Sequence, residues 1–326
     1  MRAAWYERTG PARDALVVGD MPAVEPGPGE VRVALKTSGV NPSDVKARGG
    51  SRPMLAPRII PQSDGAGVIE KVGPGVPADR VGQRVWVWNG QWKRPLGTAA
   101  EFITLAAGQA VPMPAPLMFE EAACLGIPAL TAYRALATDG GVGGRSVLVA
   151  GGAGAVGHYA IQMAKLMGAA KVIATVSSPA KAAHASAAGA DHTIDYKTED
   201  VAARVKALTA GRGVERVVEV DVSGNSQLYP GIMAPDGIVA VYGSNTPKFE
   251  MAFSPLILTG AALRFFIVYE LAPDARAAAI GQVTQWIEQG RLQHAVTATY
   301  PLDRIAEAHE AVERGSHIGN VVITMS

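Results

Sequence analysis

VLVAGGAGAVG, from Val147 to Gly157, is an apolar run that breaks into a glycine-rich loop. Val147, Leu148 and Val149 follow one another without a polar residue, as a strand buried on both faces requires. The stretch AVGHYAIQMAKLMGA, starting at Ala155, then reads as a helix that ends at Gly168. Between them Gly152, Gly154 and Gly157 form G-x-G-x-x-G. In this setting the first glycine permits a tight turn, the second lets backbone approach a pyrophosphate, and the third lets helix and strand pack closely. The pyrophosphate would meet the N–H groups and the positive end of the helix. The stretch therefore predicts a dinucleotide-binding turn.

The same alternation continues outward. KVIATV is another buried strand, PAKAAHASAAGA a helix ending at Gly189, and HTIDY, RVVEV and GIVAVYG further strands. Strands alternating with helices imply a parallel sheet covered on both faces. Upstream, EEAACLGIPALTAYRALAT reads as one helical stretch, and before about Glu120 the chain is β-rich. EVRVALKTSG alternates Val31, Val33 and Leu35 with polar or small residues, the period of a half-buried strand, and DGAGVIEKVG, QRVWVW and AEFITL are further short strands. They predict a barrel-like domain. The last part returns to mixed character, with a helix from about Pro273 to Gly290 and a final strand GNVVITM.

An NAD site usually carries Asp or Glu about 20 residues after the glycine loop, at the end of the second strand, for the ribose hydroxyls. Here that strand ends at Val176, and no acid occurs from His158 through Ala190. VSSPAK follows instead. Ser178 reads as an N-cap and Pro179 as the first helical residue. Lys181 then falls in the first turn, where the helix dipole disfavours a cation. A phosphate held by Ser177, Ser178, Lys181 and the helix N-terminus removes that objection. The cofactor expected is NADPH.

Composition excludes several classes. Of 326 residues, 48% are hydrophobic and 18% charged, and the net charge of +1 offers no general attraction to nucleic acid or an anionic membrane. The 37 glycines and 22 prolines lie between apolar runs rather than in one tract. The lone Cys124 sits in an apolar stretch and cannot build a cysteine zinc cluster. No two of the six histidines stand at ligand spacing with a carboxylate or cysteine, so no metal site is expected. MRAAWYERTG has no apolar signal core and no run is long enough to span a bilayer, so a cytoplasmic protein is expected.

SGVNPSDVKARGG, PQSDGAGVIEKVG, GIPALTAYRAL, AGGAGAVG and GNVVIT together resemble the medium-chain dehydrogenase/reductase superfamily. More closely they resemble its zinc-free quinone oxidoreductase branch, the zeta-crystallin-like reductases. The resemblance implies an α/β chain in which 1–120 and 261–326 form a GroES-like catalytic domain and 121–260 a Rossmann domain with a doubly wound parallel sheet. Zinc enzymes of the superfamily have Cys at the position of Asn41, Gly-His-Glu at Gln62–Asp64, and a four-cysteine lobe this chain lacks. The resemblance also implies that Asn41 lies near the nicotinamide ribose and Thr131 near the nicotinamide. Ala155 and Val156 would present backbone to the pyrophosphate, Lys181 and Tyr196 would flank the 2′-phosphate, and Ser244 and Asn320 would close over the cofactor. One departure stands out. Many relatives have Tyr two residues after Asp44; here Lys46 holds that place.

Without a metal the electrophile must itself be reactive, as a quinone or an α,β-unsaturated carbonyl is. Donors must stand where charge builds on the carbonyl oxygen. Asn41 and Lys46 are the candidates, with Arg48 behind them and Phe266 and Tyr269 lining the substrate pocket. An NADPH-dependent quinone reductase is the leading expectation. An enoyl or alkenal reductase with the same cofactor site is the alternative within enzymes, and a non-catalytic NADPH-binding protein the alternative outside them. The apolar FEMAFSPLILTGAALRFFIVYEL suggests a subunit interface, hence a homodimer or a dimer of dimers.

Overall fold

In a computed structural model, which describes residues 1–325, the alternation in EVRVALKTSG becomes a strand whose Val31, Val33 and Leu35 are buried while Lys36 is exposed. In chain order the elements are β1 (Arg2–Trp5), β2 (Val17–Asp20), β3 (Glu30–Val40), α1 (Pro42–Lys46), β4 (Asp64–Val72), β5 (Arg84–Val87), β6 (Phe102–Ala106) and β7 (Ala110–Pro112). Then come α2 (Leu130–Ala137), β8 (Ser146–Val149), α3 (Ala155–Leu166), β9 (Lys171–Val176), α4 (Pro179–Ala187), β10 (His192–Asp195), β11 (Val214–Glu219) and β12 (Met233–Val241). The last are α5 (Phe253–Thr259), β13 (Ala262–Phe265), α6 (Pro273–Glu288), β14 (Val296–Pro301), α7 (Ile305–Arg314) and β15 (Asn320–Thr324).

The chain divides into two units. The first contains residues 1–127, 287–289 and 294–326, the second 128–286 and 290–293. In the first, the sheet runs β14-β15-β3-β4-β5-β7. β3 is long enough to pair with β6 along Glu30–Ala34 and with β15 along Thr37–Val40, while β4 pairs along its other edge with two register shifts. Such shifts bend and twist a strand, as the predicted barrel-like domain needs. Its core gathers Val31, Val33, Ile69, Val85, Ile103, Leu105, Val321 and Ile323. Each such side chain contributes about 1.5–3 kcal/mol by leaving water.

In the second unit the sheet order is β10-β9-β8-β11-β12-β13, and every pairing is parallel. The order reverses direction between β8 and β11. Ligands of such sheets bind outside the carboxyl ends of the strands, beside that reversal. The glycine loop leaves β8 there.

Two expectations are corrected. The stretch 120–138 is not one helix: a turn at Phe119–Ala122 and a wide turn at Leu125–Ala129 precede α2. Pro128 has no N–H to give, and the Ile127 N–H goes to Asp64 at 3.0 Å instead. The return to the first unit also comes near residue 287 rather than 261, because β13 pairs in parallel with β12 and α6 follows it.

Candidate active site

The loop after β8 is built by close approach. Gly151 takes φ +67°, so the left-handed turn falls one residue before the motif's first glycine. A Cβ on Gly152 would stand 2.6 Å from the Ala174 Cβ on β9, and one on Gly157 would stand 2.2 Å from the Gly151 carbonyl oxygen. Both positions therefore admit only hydrogen. Gly154 caps α3 without a side chain. The N–H groups of a helix's first turn have no partner within the helix, and no side chain from Gly154 covers them. Ala155 and Val156 are half-buried at this end. The loop fits a pyrophosphate laid against backbone N–H groups.

The structure gathers the other predicted cofactor contacts of this unit along the same carboxyl edge. Ser177, Ser178 and Lys181 follow β9, and Tyr196 follows β10 with its N–H donated to the Val176 carbonyl at 3.1 Å. Ser178 caps α4, its Oγ accepting from the Lys181 N–H at 3.3 Å, and Pro179 takes the first helical position as expected. The Tyr196 side chain is 53% exposed, so its ring is open to a ligand. Ser244 follows β12 and donates to the Thr246 carbonyl at 2.6 Å. Phe266 follows β13, half-buried, with its ring 6.2 Å from that of Tyr242. Thr131 is buried on α2. Arg216 of β11 fixes that helix by donating to the carbonyls of Ala135 and Thr138 at 2.5 and 2.7 Å, a cation at the negative helix end. Tyr269 is buried, and its carbonyl accepts from Arg276 at 3.0 Å.

In the first unit Asn41 and Asn320 are neighbours, because Val40 pairs with Val321. The Asn320 amide donates to the Ala295 carbonyl at 3.1 Å. Asn41 opens α1 in a capping box, its N–H donating to Asp44 at 2.9 Å. Its side-chain amide has two N–H donors, one of which goes to Asp64 Oδ2 at 2.9 Å. Lys46, at the last position of α1, is exposed.

Arg48 departs from its expected place behind Lys46. It is wholly buried, and its guanidinium donates to the Gly10 carbonyl and pairs with Glu313 of α7. Its charge ties the turn after α1 to Gly10 and to α7.

Sequence reasoning missed the carboxylates around Asn41. Asp64 is fully buried, accepts from Asn41 and the Ile127 N–H, and leaves Oδ1 without a partner. Burial pushes its carboxyl well above the usual range, and Asp44 adds repulsion. Burial likewise raises Asp44 to about 7. The N-x-x-D spacing could have revealed Asp44 as the box partner. Asp64 stands out in the sequence only as the residue in place of the zinc enzymes' Glu, and it meets Asn41 through the pairing of β3 with β4. In the second unit Glu219 was missed as well: buried at the end of β11, it accepts from Tyr229, Asn225 and the Asp221 N–H.

Zinc does not fit this donor set. Among the described residues no group of three or more His, Cys, Asp or Glu could hold a metal. The Asn41 amide is turned to donate to Asp64, and the Cys124 thiol is buried, donating to the Glu120 carbonyl at 3.3 Å.

Family models for an alcohol dehydrogenase GroES-like domain and a zinc-binding dehydrogenase match residues 27–115 and 155–287. The chain is 31% identical over 318 residues to a quinone oxidoreductase of Pseudomonas aeruginosa, covering 95% of each. It is 29% identical to a 2-haloacrylate reductase of a Burkholderia species, covering 99% of this chain and 98% of that one. Among solved structures, an NAD-dependent alcohol dehydrogenase superposes with a TM-score of 0.92 at 30% identity over the whole of both chains. A mycobacterial protein complexed with NADPH superposes with a TM-score of 0.88 at 30% identity, covering 99% and 100%. The chain thus belongs among the oxidoreductases, as a member of the quinone oxidoreductase branch of the medium-chain dehydrogenase/reductase superfamily.

Proposed function

We propose that the protein is an NADPH-dependent quinone reductase that works without a metal. The observation that carries the cofactor choice is the end of β9. Val176 stands where an acid would meet an unmodified ribose, and Ser177, Ser178 and Lys181 stand beside it at the start of α4. A 2′-phosphate there would accept from the serines and Lys181, with Tyr196 at its flank. The quinone oxidoreductase relative supports the substrate class.

A bound reduced nicotinamide supplies hydride. The chain's own part is to place the cofactor and stabilise the developing oxyanion. The glycine loop, Ala155 and Val156 orient the pyrophosphate. Asn41 offers its second amide N–H, and Lys46 an ammonium, to the carbonyl oxygen as charge grows on it. Asp64 fixes the Asn41 amide by taking its other N–H. Lys46 or water then protonates the oxygen. Thr131, Ser244 and Asn320 complete the cofactor contacts, and Phe266 and Tyr269 the substrate wall.

Reduction of α,β-unsaturated carbonyls is the second reading, favoured by the 2-haloacrylate reductase relative. The deciding experiment follows nicotinamide absorbance with NADPH and with NADH, each against one quinone and one enone. Rapid loss of NADPH with the quinone is the expected result. Loss only with the enone selects the second reading, equal rates with NADH overturn the phosphate site, and no oxidation with either overturns the reductase.

The protein also acts as a homodimer in this reading. β13 is an edge strand, and Phe253, Ile257 and Leu258 of α5 together with Phe265 and Ile267 are exposed around it. An edge strand beside exposed apolar side chains pairs readily with a second copy of itself.

A further inference from the structure

We propose that Tyr6 recognises the electron acceptor: its phenol donates a hydrogen bond to a carbonyl oxygen of a neutral one-ring molecule seated in a pocket beside α1. The proposal rests on the reductase reading above and names the class of its acceptor. The pocket lies wholly in the first unit and has a volume of about 200 Å³. A cavity of about 150 Å³ accepts a benzene ring, so one ring with small substituents fits.

The backbone fixes Tyr6 at the pocket wall. Tyr6 follows β1, and its N–H and carbonyl both pair with Ile59, each at 2.9 Å. That reciprocal pair sets residues 6 and 59 opposite each other, and both line the pocket. Ala15 and Met54 pack with them, and Tyr6 is left only 4% exposed. The ring is thus held in place before any ligand arrives.

Packing does not explain the hydroxyl, since a phenylalanine ring would fill the same space. A buried tyrosine hydroxyl ordinarily finds a hydrogen-bond partner. That of Tyr6 has none among the described residues, yet it is not sealed from solvent as the orphaned Trp86 and His309 nitrogens are. The pocket that Tyr6 lines supplies that access. Burial chiefly, and then the charge of Asp44, hold the phenol above its ordinary 10, against Arg52 and Arg48. It therefore keeps its proton and presents a donor.

The lining selects a neutral ligand. Arg52 and Lys93 also border the pocket, but both are engaged: Arg52 with the Ser43 carbonyl and the Trp92 ring, Lys93 with the same ring. Pro53, Met54, Leu55 and Ile59 offer an apolar seat for a ring, and the phenol offers a hydrogen bond to its carbonyl oxygen. Position ties the pocket to the reaction. Asp44, whose charge reaches Tyr6, accepts the Asn41 N–H at 2.9 Å, and Ala47, which lines the pocket, is the residue after Lys46. A one-ring quinone held by Tyr6 lies beside the helix that carries both oxyanion donors.

Two measurements on wild type and Tyr6→Phe test the contact. The first titrates the purified protein by NMR with acetophenone, a ring bearing a carbonyl, and with ethylbenzene, its counterpart without one. Wild type should bind acetophenone the more tightly, and Tyr6→Phe should weaken acetophenone roughly fivefold while leaving ethylbenzene unmoved. The second follows NADPH oxidation by methyl-p-benzoquinone. KM for the quinone should rise roughly fivefold in the variant with kcat held, as for a contact made equally in the ground and transition states. Thermal unfolding without ligand separates this role from a structural one. The midpoint of Tyr6→Phe should equal or exceed that of wild type, because the hydroxyl has no partner to lose. A lower midpoint, or acetophenone binding indifferent to the substitution, overturns the proposal. Acetophenone binding that depends on Tyr6, without NADPH oxidation by any quinone or enone, overturns the reductase reading and leaves the carbonyl contact standing. Quinone reduction untouched by the substitution, with acetophenone and ethylbenzene bound alike, does the reverse.

Discussion

Lys181 is the residue on which the cofactor choice turns. In the first turn of α4 its charge opposes the helix dipole, an opposition that a bound phosphate would relieve. Lys181→Ala should lower kcat/KM for NADPH by about tenfold or more, the worth of one charge-assisted hydrogen bond, and leave NADH nearly untouched. Steady-state rates with both cofactors check this, and an equal loss for both would remove Lys181 from phosphate recognition. Asp44 has a different signature. Its ordinary value of 3.8 rises to about 7 because burial removes water from the charged form, so the folded protein holds that proton more tightly than the unfolded chain. The stability it contributes is full below about pH 4 and is lost as pH rises through 7, at most about 4 kcal/mol. Asp64 acts in the same direction. His309, lowered to about 3 by burial and Arg48, acts oppositely and costs stability as pH falls below its ordinary 6.5. Comparison with Asp44→Asn isolates the one group. Urea unfolding at pH 5 and pH 8 should show the stability difference moving by roughly 2 kcal/mol or more in the variant's favour at the higher pH. Parallel pH dependence in the two proteins would contradict a proton held on Asp44.

At the scale of elements, the edge formed by α5 and β13 is where the chain is least finished. Leu258 is 87% exposed and Phe253 73%, two large apolar side chains left in water by one short helix, which a monomer seldom tolerates. Leu258→Glu should convert a dimer to a monomer in light scattering without lowering the unfolding midpoint of the monomer, since the side chain is exposed in the isolated chain. A wild-type protein that is monomeric at micromolar concentration would refute the pairing. The elements themselves were largely legible. Buried runs such as KVIATV and the glycine stops at Gly168 and Gly189 mark β9, α3 and α4 nearly to the residue, because those signals are local. The stretch 120–138 misled because its apolar composition suits a helix, while a distant carboxylate, Asp64, takes the Ile127 N–H. Likewise β13 reads as the start of a returning domain until its partner β12 is known.

For the whole molecule, the sequence by itself determined the alternating nucleotide unit, the β-rich unit before it, the place of the glycine loop and the missing acid at Val176. Each depends on a period, a turn residue or a spacing within one short stretch, and such patterns survive in the chain as written. Tertiary structure alone decided the rest. It buried Arg48 against Gly10 and Glu313, joined Asn41 to Asp64 across β3 and β4, and brought Tyr6, Arg52 and Trp92, residues far apart in the chain, to one open pocket. Burial and the approach of distant charges set the acidity of Asp44 and Asp64, and neither quantity exists until the strands pair and water leaves.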